Sequence, residues 1–201
     1  ALKQRYSFLE LCKTVPAAVE ASLQPIRRYN MDGVICFSDI LVPLEAMGLE
    51  LDFNPGPVFS QPLRTDEDLS RLEDIDVERR VPHIMQILKT LSTHPETQGK
   101  TLLGFTGAPY TLASYAIEGR TSKDFEHVKA WMYQRPESFM RLMDRLSDLV
   151  IAYILCQKAA GAEVVQMFDT WAGHLSKEDY ARFVCPSTER ILAAAKAHNL
   201  P

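Results

Sequence analysis

A chain of 201 residues, 46% hydrophobic and 24% charged with a formal net charge of -4, has the composition of one globular domain with ample core. The negative balance and the lack of a basic run argue against a nucleic-acid surface, and no apolar stretch is long enough to span a bilayer. Cys12, Cys36, Cys156 and Cys185 form no CxxC pair and no zinc-type spacing, so they read as four reduced, buried thiols, and the opening residues have no signal-peptide anatomy.

Ser7 with Glu10 three residues on has the form of a capping box and predicts a short helix from Ser7 to Thr14. Val15 to Arg28 predicts a longer one, with Pro16 in its first turn, an apolar face of Val19, Leu23 and Ile26, and a kink or break at Pro25. After Asn30 and Gly33 comes the run Val34 to Leu41, read as the first strand, ending abruptly in Ser38-Asp39. A partly helical connection over Leu41 to Gly48 and a short strand or arm over Leu49 to Phe53 follow. Asn54-Pro55-Gly56-Pro57 is a turn signal, and an extended surface stretch runs through Pro62. Asp66 to Leu72 reads as a short helix. Val81 to Leu91 reads as a clearer one, with Ile84, Ile87, Leu88 and Leu91 on one side, closed by His94-Pro95 and Gly99.

Thr101 to Gly107 is the second strand, turned by Gly107-Ala108-Pro109 into a helix over Tyr110 to Ile117. A polar loop leads to a helix over Phe125 to Tyr133. Pro136 then opens a long one to about Ala160, ended by Gly161. Val164 to Thr170 is the third strand. Helices over Lys177 to Phe183 and Ser187 to His198 complete the chain, and Asn199-Leu200-Pro201 reads as the approach to a further strand.

Each of the three strands is a continuous apolar run stopping at an acid or hydroxyl, with helices between them, which is the pattern of a parallel sheet covered on both faces. Chemistry in such sheets gathers at the carboxyl ends of strands, where Asp39, Thr106, Asp169 and Thr170 fall. The residues alone leave Asp39 two roles: a cap for the helix that follows, or the centre of a site. Three strands are too few to close a barrel, since a (β/α)₈ barrel needs about 250 residues. The chain is thus either a small open sheet or an internal piece of a larger barrel.

Several segments, in order and over nearly the whole chain, carry a specific resemblance. They are Leu23-Gln24-Pro25-Ile26-Arg27-Arg28-Tyr29, Phe37-Ser38-Asp39-Ile40-Leu41, Ala46-Met47-Gly48, Gly104 to Leu112, Tyr115-Ala116-Ile117-Glu118-Gly119, and Phe168-Asp169-Thr170-Trp171-Ala172-Gly173-His174-Leu175. In these the chain resembles the uroporphyrinogen decarboxylases of haem and chlorophyll synthesis. The resemblance implies an α/β fold of the (β/α)₈ TIM-barrel family, of which residues 1–201 are a single domain covering the middle part. An arginine-rich motif would precede it, and further strands with a histidine would follow. It also implies a cytoplasmic homodimer (or a plastid enzyme, from a photosynthetic eukaryote) that uses no metal and no organic cofactor. The implied substrate is uroporphyrinogen, a macrocycle of four pyrroles and eight carboxylates, whose four acetate side chains become methyl groups.

The same resemblance makes Asp39 the catalytic group and the acceptor for the pyrrole N–H donors, with Phe37, Tyr115 and Thr170 as substrate-binding residues. Thr170 stands where the family commonly has serine. His174 reads as structural, and Asp169 is a weaker candidate. Arg27, Arg28, Arg120 and Arg135 read as surface or ion-pairing residues, and the unclear register at Lys3 and Arg5 assigns them nothing. Two competing readings are a zinc-dependent methyltransferase of corrinoid or thiol substrates with the same barrel, and a non-catalytic partial barrel with exposed sheet edges and poor solubility.

Overall fold

The computed structural model describes residues 2–53, 56–73 and 76–201. Helix α1 (Phe8–Lys13) starts at the capping box: the Glu10 N–H donates to Ser7 Oγ at 3.3 Å and the Ser7 N–H donates to Glu10 Oε2 at 2.8 Å. Helix α2 (Val15–Tyr29) runs unbroken through Pro25, against the expected kink. Pro25 is exposed, so the one lost hydrogen bond lies on the outer side of the helix. Leu23 and Ile26 beside it are buried and hold the helix in place.

Strand β1 (Gly33–Ile35) is much shorter than the apolar run that announced it. Its last ladder bond runs from the Cys36 N–H to Leu103 O at 2.9 Å, and the next amide, that of Phe37, donates instead to Ser22 Oγ on α2 at 2.8 Å. The chain therefore leaves the sheet after Cys36 and carries Phe37, Ser38 and Asp39 beyond it. Helix α3 (Val42–Ala46) follows, then strands β2 (Leu51–Phe53) and β3 (Pro57–Phe59), which pair antiparallel. Asn54 and Pro55 of the expected turn lie outside the described residues. Asp66 to Leu72 forms a 3₁₀ turn over Glu67–Arg71 rather than an α-helix. Helices α4 (Val77–Arg80) and α5 (Pro82–Ser92) lead to strand β4 (Thr101–Gly107).

Helix α6 (Pro109–Glu118) begins directly after that strand, and α7 (Glu126–Gln134) after a loop. Helix α8 (Pro136–Ala159) buries Phe139, Leu142, Met143, Leu146, Leu149, Val150, Tyr153 and Ile154, each side chain stabilising the fold by about 1.5–3 kcal/mol. Strand β5 (Val164–Phe168) and a 3₁₀ turn over Thr170–His174 come next. Helix α9 (Lys177–Asp179) passes through a π-helical turn, Tyr180–Val184, into α10 (Cys185–Ala197), where an α-helix over Lys177 to Phe183 was expected. The Val165 N–H reaches Pro201 O at 3.5 Å. Among the described residues no helix is long and apolar enough to cross a membrane.

The sheet has the order β1-β4-β5 and is parallel throughout, with Ile35 beside Leu103 and Gly107 beside Phe168. Because β1 stops early, the outward backbone groups of Phe105 have no strand to bond. Gln157 of α8 replaces it: its Oε1 accepts from the Phe105 N–H and its Nε2 donates to the Phe105 carbonyl, both at 3.0 Å. Gly104 leaves room for this amide, since a methyl group there would run into Gln157 Oε1.

His83 on α5 is largely buried, and its Nε2 has no hydrogen-bond partner among the described residues. Burial, aided by the charge of Lys13, pushes its pKa down from 6.5 to about 4. The folded state thus binds fewer protons at this ring than the unfolded chain. Stability is full above 6.5 and falls as pH drops toward 4. In urea unfolding, the wild-type midpoint should decline more steeply across that window than the His83→Gln midpoint, and equal slopes would refute the assignment. Gln157→Leu should destabilise the fold by about 2–4 kcal/mol, because the Phe105 N–H and carbonyl lose their partners. A thermal melt within one degree of wild type would show that the clasp contributes nothing.

Candidate active site

The parallel strands deliver three segments to one end of the sheet: Phe37 to Ile40 after β1, Gly107 to Pro109 after β4, and Asp169 with Thr170 after β5. They are packed together. A Cβ added to Gly107 would meet Leu112 Cδ2 at 2.7 Å, so a side chain there would crowd the first turns of α6, and it would touch Ile40 Cβ of the loop bearing Asp39 at 3.4 Å, an ordinary contact. The Ala108 N–H donates to Phe168 O at 2.8 Å and joins the β4 and β5 ends.

Asp39 is half-buried, and its Oδ1 accepts from the Leu41 N–H at 2.8 Å. Burial raises its pKa above the usual carboxylate value, and that one amide only partly offsets the effect. Among the described residues, no hydrogen bond is donated to Oδ2. The Asp39 charge is felt by Cys12, Tyr115 and Tyr153, each of which it makes harder to ionise. Cys12 and Cys36 are buried with pKa values pushed up to about 12, chiefly by burial, so they are neutral thiols that keep the floor beneath Asp39 of low polarity. Cys156 and Cys185 are also free thiols but only partly buried, unlike the expectation for all four.

Tyr115, on α6, is partly buried. Burial raises its pKa, with side-chain hydrogen bonds from Trp171 and Thr121 pulling the other way. Its ring lies 5.6 Å from that of Trp171. Trp171 also packs on Phe125 at 5.2 Å, and Phe125 packs on His174 at 4.6 Å. Phe125 holds a left-handed backbone (φ 54°), unusual for an aromatic residue, with its N–H bonded to Ser122 Oγ at 3.0 Å. His174 is thus part of the aromatic wall behind Tyr115, in keeping with its structural reading. Thr170 is exposed at the start of the turn carrying Trp171. Phe37 is half-buried with its ring edge-on to Phe8 at 6.0 Å. Thr106, by contrast, is 1% exposed within β4, with its hydroxyl donating to Gly107 O at 3.1 Å.

The arginines are placed as their sequence context suggested. Arg27 pairs with Glu20 and Glu96, each at 2.7 Å. Arg135 donates to Arg64 O at 2.7 Å and stacks over Trp131 at 5.0 Å. Sequence reasoning missed Ser22, whose Oγ accepts the Phe37 N–H, and Thr111, whose Oγ1 donates to Asp169 Oδ1 at 2.9 Å. Neither had a local signal, because each acts across at least 15 residues of chain. Among the described residues, no three His, Cys, Asp or Glu side chains gather so as to hold a metal ion.

A family model described as uroporphyrinogen decarboxylase (URO-D) matches residues 1–201. The chain is 44% identical over 200 residues to the uroporphyrinogen decarboxylase of Citrifermentans bemidjiense and 45% identical over 202 to that of Geobacter metallireducens. In each case all of this chain and 59% of the relative are covered, so the chain spans about three-fifths of the length of these curated relatives. Among solved structures, a methyltransferase from Methanosarcina mazei superposes with a TM-score of 0.75 over 92% of this chain and 55% of that one. At 16% identity that likeness speaks for the fold alone.

Ser22→Ala should leave the Phe37 amide unpaired and loosen the loop that carries Asp39. Hydrogen exchange at Phe37 should quicken about tenfold or more, the equivalent of roughly 1.4 kcal/mol of lost protection. Unchanged exchange would mean that Ser22 does not anchor the loop.

Proposed function

The chain belongs to the uroporphyrinogen decarboxylase family, whose fold is the TIM barrel, and we propose that the protein it represents removes the four acetate carboxyls of uroporphyrinogen as carbon dioxide, giving coproporphyrinogen. The observation that carries this reading is the 44% identity over 200 residues, a match that spans the strand-end segments around Asp39.

In the proposed reaction the macrocycle settles with its pyrrole N–H groups turned toward the Asp39 carboxylate. Oδ1 is already taken by Leu41, which fixes the group's direction, and Oδ2 accepts from the substrate. A proton adds to a ring carbon of the pyrrole that bears the acetate. The bond from the acetate methylene to its carboxylate then breaks, carbon dioxide leaves, and the electron pair flows into the cationic ring. Protonation of the exocyclic carbon gives the methyl group, and loss of the ring proton restores the pyrrole. Each cycle replaces one carboxylate by one hydrogen. Asp39 stabilises the ring cation as it develops, and the low-polarity floor of Cys12, Cys36 and Tyr153 strengthens that interaction.

Tyr115 and Thr170 offer hydroxyls to substrate carboxylates, and Phe37 offers an aromatic edge to the macrocycle. Residues 1–201 act as one domain of the barrel, and the whole protein works as a cytoplasmic homodimer. The scheme asks for no metal or organic cofactor, because the protonated pyrrole is its own electron sink.

The test is an anaerobic, dark assay with reduced uroporphyrinogen III, with products oxidised and separated by carboxyl number. At native length the protein should yield seven- to four-carboxyl products. Asp39→Asn should lower kcat by about 100-fold or more, and Asp39→Glu should keep part of the activity. Activity equal to wild type in Asp39→Asn would remove Asp39 from the centre. No turnover by the unsubstituted protein would reject the decarboxylase reading.

A further inference from the structure

We propose that Thr111 and Asp169 form a positioning pair that sets the direction of Thr170 and holds its wall of the site against Tyr115. The inference rests on the decarboxylase reading and adds two residues to it. Thr111 is on the first turn of α6 and is fully buried. Its hydroxyl donates to Asp169 Oδ1 at 2.9 Å and accepts from the Trp171 N–H at 3.3 Å. Both chain neighbours of Thr170 are therefore pinned by one hydroxyl on another element, while Thr170 itself stays exposed between them.

Asp169 is tied down further. Its carboxylate takes hydrogen bonds from the Thr111 hydroxyl and backbone N–H, and its carbonyl accepts from the Ala172 N–H at 3.2 Å. The residue at the N-cap of α6 is Ala108, which has no side-chain acceptor, so Asp169 supplies the negative group to that helix end from the neighbouring strand. Tyr115 is carried by the same helix, and Trp171 packs against its ring. The pair thus couples the Tyr115 side of the site to the Thr170 side through one short bridge, with neither residue needing to touch substrate.

The experiment uses the protein at native length and compares Thr111→Val with Thr111→Ser. Valine keeps the shape and removes both hydrogen bonds; serine keeps both. In Thr111→Val the Trp171 amide should exchange with solvent about tenfold faster, and KM for uroporphyrinogen should rise about tenfold with kcat changed less than about threefold, as loss of uniform binding requires. Thr111→Ser should restore both readouts. Asp169→Asn retains an acceptor for Thr111 without the charge, so it should give an intermediate KM and serves if the valine variant does not fold. Unchanged Trp171 exchange, or faster exchange with KM within twofold of wild type, would overturn the proposal. A fall in kcat at constant KM would overturn it too, by giving the pair a part in the chemical step. If the unsubstituted protein shows no turnover, the decarboxylase reading fails and takes the substrate role of the pair with it. That outcome is told apart by the wild-type control alone.

Discussion

The active end of this sheet depends on one side-chain amide. A parallel strand in the middle of a sheet must satisfy backbone groups on both edges, and β4 loses its β1 neighbour after Leu103. Gln157 supplies the missing donor and acceptor from a helix. With Phe105 satisfied, β1 is free to turn away at Cys36 and send Ser38 and Asp39 across the strand ends. Had β1 continued in register, Phe37 would have bonded β4, and Asp39 would have stood further along the ladder instead of over the buried thiols. The glycine at 104 belongs to the same device, since any side chain there displaces the amide.

Much of this was readable from the chain and some was not, for a physical reason. The three strands, their parallel arrangement and the long amphipathic α8 follow from local patterns, and so do the Ser7 cap and the Gly161 stop. Features that failed to read, or were misread, depend on partners far away. Whether Pro25 breaks α2 is decided by which side of the helix faces solvent. How long β1 runs is decided by Ser22 and Gln157. The π-helical turn at Tyr180–Val184 replaces an expected α-helix, and the structure offers no account of it beyond the buried Phe183 and Val184 at its end. Among the candidate site residues, Asp39 was marked by its place at a strand end, and the resemblance to a family added Tyr115. Thr111 escaped notice because a threonine in an apolar helix gives no sign of a partner 58 residues on.

The sequence left Asp39 as either a cap for the following helix or the centre of a site, and α3 starts from Leu41 without a side-chain cap, so Asp39 does not cap it. A carboxylate has two oxygens. Oδ1 closes the turn into α3 through Leu41, an arrangement that holds the group in one rotamer without consuming its other acceptor. That turn is therefore what orients the free oxygen. A group held by two backbone donors would have a pKa well below the ordinary range and little left to offer. With one donor and substantial burial its pKa is instead raised.

That raised pKa bears on the decarboxylase reading, in which a carboxylate must receive a polyanion. The chain carries a formal charge of -4, which repels an anion at long range, and Arg27 and Arg135 are paired with Glu20, Glu96, Asp66 and the Arg64 carbonyl. Beyond about 8–10 Å such repulsion is screened by salt in any case. At contact the balance reverses. On the decarboxylase reading, pyrrole N–H donors reach Oδ2 and favour the ionised form, lowering the pKa that burial had raised. The ring cation formed during reaction lowers it further. The strongest electrostatic interaction of Asp39 is then kept for the step in which positive charge appears, which is where stabilisation accelerates the reaction rather than only tightening binding.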